Sequence, residues 1–181
     1  KGVGGTEGNN EPTEEFYSSY SDDDLRQNVS IGKLSDGRIY CNKFVKAPVL
    51  AKQSDANFIV LRYTDVLLMY AEALNEISFS ASGEAFQYLN KVRQRAGIQM
   101  YTDQEINNQS TFKDAILRER RYEFAFENQR WFDLLRTGKA VEIMNASANG
   151  EFTVKPYQLV FPIPQSQIDA VPDKMVQNAE Y

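Results

Sequence analysis

Three glutamates spaced four residues apart form the densest group in this sequence that could do chemistry. Glu119, Glu123 and Glu127 recur at i, i+4 and i+8, so a helix would place their carboxylates along one face. Two carboxylates about 5–9 Å apart can serve as the acid and the nucleophile of a glycoside hydrolase. The spacing therefore suggests two hypotheses, which are glycoside hydrolysis through Glu119 and Glu123, and a carboxylate metal site.

The surrounding residue types argue against both hypotheses. The 181 residues include no histidine, which excludes the Glu-x-x-His pairs of di-iron bundles, Ser-His-Asp catalysis and histidine-ligated zinc. Several arginines flank the glutamates and would lower the pKa of the carboxyl groups. We predict instead a buried or half-buried network of ion pairs, with Arg120–Glu123 and Glu127–Arg130 at helical spacing. We accordingly predict no catalytic residue, no metal site and no cofactor.

Two tyrosines near the start of the chain are the candidate ligand-binding residues. Tyr17 and Tyr20 lie among serines and aspartates in a stretch without helical periodicity, and aromatic faces can stack on the apolar faces of sugar rings. The alternative is that both rings pack on the body of the protein. Trp131, the single tryptophan, is predicted to be a core residue because Phe132 and Leu135 lie next to it on a helix.

Composition and charge further limit the classes of function that this protein could have. The formal net charge is −5, which argues against nucleic acid as a partner. Apolar residues make up 42% of the chain and charged residues 25%, as in ordinary globular domains. The longest apolar run, residues 66–71, is far shorter than the roughly 20 residues of a transmembrane helix. The single cysteine, Cys41, permits no intrachain disulfide.

Helices must position the glutamates, because apolar residues recur with helical spacing from about residue 61 onwards. A first helix over 61–76 has apolar residues on nearly every face, which predicts burial all round. A second helix, capped by Ser82 and ended by Gly97, would pair with it as in tetratricopeptide repeats. A third helix would start at Thr111 and carry the glutamates, and a fourth would span 130–137.

The ends of the chain are predicted to be less regular. Residues 1–57 are rich in turn-forming residues and are predicted to form an irregular, loop-rich segment packed on the body. Pro162 and Pro164 exclude a helix interior and predict an extended C-terminal strap. The predicted fold class is therefore mainly α, with a tetratricopeptide-like helical pair, further helices over 58–181, irregular loops and the strap.

Several segments, taken together and in order, resemble motifs of the RagB/SusD family of outer-membrane nutrient-binding lipoproteins. They are LRYTDVLLMYAEALNE at 61–76, LNKVRQRAG at 89–97, ERRYEFAFENQRWFDLLR at 119–136, and PIP at 162–164 followed by QN at 177–178 and Tyr181. A further segment, YSDDDLR at 20–26, resembles an upstream turn, with Leu25 where proline is more common. The resemblance covers 16–181 and corresponds to the C-terminal third of such proteins.

The resemblance implies binding rather than catalysis. Members of this family capture oligosaccharide, or in some cases peptide, on the outer surface of the outer membrane. They deliver it to a SusC-type TonB-dependent transporter, over which they act as a lid. The matched motifs resemble scaffold, so no ligand-binding residue is carried over from the family.

The first residue of the sequence is Lys1 rather than methionine, so we expect a portion of a longer protein. Its membrane association would then depend on a lipid anchor outside these residues. The alternative function is that of a helical adaptor, which would bind protein partners through a tetratricopeptide-like groove.

Overall fold

A computed structural model describes residues 11–44, 57, 59–148 and 150–181. Over these residues the chain is mainly helical, which confirms the predicted fold class. The elements, in chain order, are α1 (Glu14–Ser18), α2 (Arg26–Ser30), β1 (Ile31–Lys33), β2 (Ile39–Cys41), α3 (Tyr63–Ile77), α4 (Glu84–Arg95), α5 (Gln109–Glu123), α6 (Arg130–Arg136), α7 (Ala140–Ser147), a 3₁₀ helix (Pro156–Leu159) and α8 (Gln165–Ala170). No helix in the described ranges is both long enough and apolar enough to cross a membrane.

The chain divides into two compact units, Lys1–Arg130 and Trp131–Tyr181. The boundary that we predicted near residue 57 is flanked by 45–56 and 58, which lie outside the described residues, and it stays a prediction. In the first unit, residues 11–44 contain more regular structure than we predicted. They form α1, α2 and an antiparallel hairpin in which Ile31 pairs with Cys41 and Lys33 pairs with Ile39.

The core of the first unit lies between α3, α4 and α5. The predicted pair of helices is confirmed, since α3 packs against α4, and α5 contacts both. Apolar side chains from all three helices are buried together, among them Leu68, Leu89, Phe112 and Ile116. The ring centroids of Phe86 and Phe112 lie 5.0 Å apart in this core. Burial of these side chains stabilises the three helices in one arrangement, because each large apolar side chain contributes roughly 1.5–3 kcal/mol when it leaves water.

The predicted burial of the first helix on all sides is wrong. Its apolar residues at positions 63, 66, 70, 73 and 77 are exposed, and we call this set the α3 stripe: Tyr63, Val66, Tyr70, Ala73 and Ile77. The exposed fraction of the side chain reaches 82% at Ile77. The reason is geometric, because α4 and α5 cover the side of α3 that carries Leu68 and Ala71.

Two predicted helix starts are also wrong. Ser82 adopts a left-handed conformation with φ +58°, and Gly83 is the N-cap residue of α4. The N-cap residue of α5 is Asn108, three residues before Thr111. The Asn108 side chain accepts a hydrogen bond from the Thr111 amide (3.0 Å), and the Thr111 hydroxyl accepts one from the Asn108 amide (3.3 Å). Asparagine caps helices at least as well as threonine, which explains why the helix begins earlier.

The predicted end of the second helix at Gly97 is confirmed. Gly97 has φ +78°, and the Ile98 amide donates to the Arg93 carbonyl at 3.2 Å. A residue with positive φ beyond the last helical turn, followed by this hydrogen bond, is the Schellman arrangement. The C-terminal part of α4 is therefore fixed by local backbone chemistry that the sequence already indicated.

The second unit contains the predicted short helix, as α6, and elements that we did not predict. These are α7, the 3₁₀ helix and α8. The predicted strap is extended over 160–164 but is interrupted by the 3₁₀ helix and by α8, of which Pro164 (φ −55°) is the N-cap residue. Proline excludes the interior of a helix but is tolerated at its start. Trp131 is half-buried, so its predicted place in the core is borne out only in part.

The extended segment is held by the residues of the C-terminal motif. Gln177 accepts a hydrogen bond from the Ile163 amide (2.8 Å) and donates one to the Ile163 carbonyl (2.9 Å). The Asn178 side chain donates to the Phe161 carbonyl at 2.7 Å, and the Tyr181 hydroxyl donates to the Val160 carbonyl at 3.0 Å. The PIP and QN motifs thus act together. The prolines keep this segment out of regular secondary structure, and the side-chain amides of Gln177 and Asn178 form hydrogen bonds with its backbone N–H and C=O groups.

Candidate functional site

The three glutamates that the sequence singled out are buried in the first unit. Glu119 and Glu123 lie on α5, whereas Glu127 follows the end of that helix. The prediction that all three lie on one helix is therefore wrong for Glu127. The backbone turns at Phe126 and Asn128, both of which have positive φ.

Basic side chains from four distant places in the chain pair with these carboxylates. Glu119 accepts hydrogen bonds from Arg26 (2.5 Å) and Arg93 (2.9 Å). Glu123 is paired with Arg62 at 2.5 Å, with Arg26 at 3.2 Å, and also with Arg95. Glu127 is paired with Arg62 at 2.9 Å and with Lys43. We call this set the ion network, and it confirms the ion-pair interpretation of the cluster.

The partners in the ion network differ from the pairs that helical spacing predicted. Arg120, which we expected to pair with Glu123, reaches across to Asp65 on α3, where the two charged groups are 2.5 Å apart and buried. Sequence reasoning missed these partners because most of them lie 26 or more positions away from the glutamate that they contact. The signal that could have found them is the presence of a basic residue in each of the other motifs.

The ion network holds Glu123 in its ionised form. Burial by itself would raise the pKa of this carboxyl group. The hydrogen bonds and charges of Arg95 and Arg62 outweigh burial and lower the pKa of Glu123 to about 2. A glycosidase of the two-carboxylate type needs one carboxylic acid with a raised pKa. The lowered pKa of Glu123 is the opposite of what a catalytic acid needs, and Glu119 is paired with Arg26 and Arg93.

Four of the motifs that the sequence analysis singled out meet in the ion network. Residues 20–26 contribute Asp24 and Arg26, which are joined by two side-chain contacts of 2.9 and 2.7 Å. Residues 61–76 are represented by Arg62, residues 89–97 by Arg93 and Arg95, and residues 119–136 by the glutamates. The Leu25 amide also donates to the Ala96 carbonyl at 3.0 Å. The motifs therefore position one another.

The two candidate ligand-binding tyrosines lie on α1 and just after it. Tyr20 is buried, with an exposed fraction of 6%, and its ring makes edge contacts with Phe16 (centroids 5.2 Å apart) and Tyr122 (4.8 Å). This burial argues against stacking of Tyr20 on a sugar. Tyr17 is half-buried, and the Lys33 ammonium lies 4.7 Å from its ring centroid. A ligand contact through Tyr17 stays a prediction.

A cavity that the sequence did not predict lies beside α4. Its volume is about 410 Å³, and we call it the α4 cavity. Its lining residues come from α4 and from the segments before and after it: Ser82, Phe86, Gln87, Tyr88, Asn90, Lys91, Gln94, Met100 and Tyr101. In the sequence, the polar residues among them look like an ordinary solvated helix face. Within the described ranges, no cluster of three or more histidine, cysteine, aspartate or glutamate side chains is arranged to hold a metal ion.

Comparison with known proteins places the chain in a family. The family model described as SusD family matches residues 4–181. The chain belongs to the SusD family. The prediction from the sequence motifs is thereby confirmed.

Curated SusD-like relatives include proteins of Formosa agariphila. The chain is 33% identical to its SusD-like protein P38 over 141 residues, which is 75% of this chain and 28% of that protein. It is 41% identical to SusD-like protein P2 of the same organism over 90 residues, or 47% of this chain and 18% of that protein. The chain thus spans less than a third of the length of either relative.

Solved structures of SusD-family and related glycan-binding proteins share the fold. Surface glycan-binding protein A from Bacteroides uniformis superposes with a TM-score of 0.80 at 28% identity, covering 92% of this chain and 40% of that chain. Surface glycan-binding protein A from Bacteroides thetaiotaomicron, in complex with laminarihexaose, gives a TM-score of 0.74 at 26% identity over 96% of this chain and 44% of that chain. The α3–α4 pair is accordingly the tetratricopeptide-like helical pair of a SusD-like protein.

Proposed function

We propose that this chain is part of a non-catalytic protein that captures oligosaccharides at the outer surface of the outer membrane and delivers them to a SusC-type TonB-dependent transporter. One observation carries the proposal. The structure superposes over 96% of its length on a surface glycan-binding protein in complex with laminarihexaose. Membrane attachment would come from a lipid anchor outside these residues.

The ion network supports the non-catalytic part of the proposal. A glycoside hydrolase would need a protonated carboxyl group close to a second carboxylate. The most obvious pair, Glu119 and Glu123, is paired with four arginines, and the pKa of Glu123 is lowered to about 2. Both carboxylates therefore stabilise the fold through ion pairs with arginines from other parts of the chain.

The test uses the complete protein that contains this chain. Calorimetric titration against laminarihexaose, maltohexaose, xylohexaose and a mannan hexasaccharide should give saturable binding to at least one sugar, with no release of shorter products. Purification from outer membranes in mild detergent should recover a TonB-dependent transporter together with the protein. A strain that lacks the gene should take up the bound sugar more slowly than the parent strain.

Two results would contradict the proposal. Hydrolysis of a bound sugar that is lost in the Glu123→Gln variant would make the protein a glycosidase. Failure to bind any sugar, together with recovery of a protein partner other than a transporter, would favour the helical adaptor.

A further inference from the structure

We propose that the α4 cavity is a saccharide-binding site within these 181 residues. The inference rests on the proposed function, because it assigns a location and a set of contacts to the sugar that the protein would capture. The cavity volume of about 410 Å³ falls within the range of about 300–1,000 Å³ that is usual for small-molecule sites. Gln87, Lys91, Gln94 and Met100 are exposed lining residues, so a ligand can reach the cavity from solvent.

The aromatic wall of the cavity is fixed in place before any ligand arrives. The Asn90 side chain donates to the Tyr101 carbonyl (2.9 Å) and accepts from the Tyr101 amide (2.8 Å). The Arg93 guanidinium lies 3.7 Å from the centroid of the Tyr101 ring and covers one face of it. The Tyr101 ring also packs against the apolar core, so a sugar ring could meet only the part of it that neither Arg93 nor the core covers.

Arg93, which covers one face of the Tyr101 ring, also belongs to the ion network. Arg93 donates to the Gln99 carbonyl at 2.8 Å and to the Glu119 carboxylate at 2.9 Å. Both partners of these hydrogen bonds are groups of the protein itself, and Glu119 is buried. The position of Arg93 therefore does not depend on a ligand. A site whose groups are already ordered loses less entropy on binding, which favours affinity for a flexible oligosaccharide.

The opposite wall offers hydrogen-bonding groups without partners. Gln87, Lys91 and Gln94 are spaced i, i+4 and i+7, so their side chains lie on one face of α4. Within the described part of the chain these three side chains make no hydrogen bond or ion pair. An amide both donates and accepts, and an ammonium group donates, which matches sugar hydroxyls that do both.

The charge of the lining favours a saccharide over other ligands. No carboxylate lines the cavity, so a metal ion or a cationic ligand would find no counter-charge there. Lys91 is the single charged lining residue, whereas phosphate ligands are usually held by several cations or by a helix N-terminus. A pyranose has an apolar face for Tyr101 and Met100 and an equatorial ring of hydroxyls for the amides.

The experiment locates the sugar directly. The 181-residue chain is titrated with laminarihexaose, maltohexaose and cellohexaose up to about 1 mM while the side-chain amide signals of glutamine are followed by NMR. The signals of Gln87 and Gln94 should shift with at least one sugar. The signal of Gln104, an exposed glutamine outside the cavity, should stay in place.

Affinity measurements then test the contacts. The Gln87→Ala/Gln94→Ala double variant should weaken binding about tenfold, because two hydrogen bonds to the sugar are lost. The Gln104→Ala variant should bind as the parent does. Circular dichroism of each variant checks that the fold is intact. We expect no loss of structure in the double variant, because Gln87 and Gln94 are exposed residues of α4.

Failure of this inference can be told apart from failure of the proposed function. If no hexasaccharide shifts the Gln87 and Gln94 signals, or if the double variant binds as the parent does, the site is elsewhere. Sugar binding by the complete protein would then still support the proposed function. If the complete protein binds no sugar at any position, the proposed function falls together with the inference.

Discussion

Glu123 shows how single residues in this protein serve the scaffold. Its carboxylate is buried at the end of α5 and contacts Arg26 and Arg62, which come from parts of the chain 97 and 61 positions away. Desolvation of charge is costly, so a buried carboxylate is tolerated only when its hydrogen bonds and counter-charges are complete. The contacts of Glu123 therefore join the N-terminal segment, α3 and α5 through one side chain.

Replacement of Glu123 by alanine should destabilise the protein by roughly 3–5 kcal/mol, because it removes the buried carboxylate that Arg26, Arg62 and Arg95 share, so that these charges lose part of their compensation. Urea unfolding at neutral pH measures the change in the free energy of unfolding. Glu151→Ala is the matched control, because Glu151 is exposed in a loop, and it should change stability by less than about 0.5 kcal/mol. A loss below about 1 kcal/mol for Glu123→Ala would show that the ion network contributes little.

The stability should also depend on pH through Glu123. The pKa of this carboxyl group falls from 4.5 to about 2 on folding. A lowered folded-state pKa stabilises the protein above pH 4.5, and that contribution, about 3 kcal/mol, is lost as pH falls from 4.5 towards 2. Unfolding experiments between pH 7 and pH 3 should give a steeper loss for the parent than for Glu123→Gln, which lacks this titration. Parallel curves for the two proteins would contradict the prediction.

The sequence predicted that the glutamates would form ion pairs, but it did not predict which basic residues would be their partners. The spacing of glutamates and arginines indicated a network of buried or half-buried ion pairs, and the structure confirms the ion pairs. The partners could not be predicted, because residues such as Lys43 and Glu127 meet only through tertiary folding. The α4 cavity was missed for a related reason. Its polar residues form a helix face that becomes a wall only when residues 100–101 fold over it.

At the scale of elements, local patterns predicted the middle of each main helix well and the starts less well. Periodicity identified α3, α4 and α5, but Asn108, rather than Thr111, is the residue with capping geometry. Both are good N-cap residues, so the sequence alone left the choice to tertiary packing. The short helices α7 and α8 were missed because a few residues between prolines and glycines carry too little periodicity to identify.

Removal of the Asn108 side chain should weaken α5 measurably. Asn108→Ala removes the acceptor for the Thr111 amide and should lower the free energy of unfolding by about 1 kcal/mol. Asn108→Asp keeps an acceptor oxygen and adds a negative charge at a helix N-terminus, so it should be neutral or slightly stabilising. Urea unfolding of the three proteins tests the cap. Equal stability of the alanine and aspartate variants would show that Asn108 has no capping role.

At the scale of the whole molecule, the α3 stripe is a row of apolar side chains that the described residues leave exposed. Its residues are spaced alternately three and four apart, which is the spacing of the apolar seam between two packed helices. Periodicity identified these residues as apolar helix positions but could not tell which side α4 and α5 would cover. The chain spans 28% of the length of SusD-like protein P38. A contiguous apolar surface of this kind favours association, because covering it removes apolar area from water.

The 181-residue chain should therefore self-associate through the α3 stripe. Sedimentation velocity at increasing protein concentration should give a weight-average sedimentation coefficient that rises as dimers or larger species form. The Val66→Gln/Tyr70→Gln double variant should remain monomeric at the same concentrations, since glutamine keeps helix propensity while it removes apolar surface. Val176→Gln is the control, because Val176 is exposed to 82% and belongs to the second unit, whereas the stripe belongs to α3 in the first unit. If the parent is monomeric at every concentration, or if Val176→Gln dissociates the assembly as effectively as the double variant, the α3 stripe is not the contact surface.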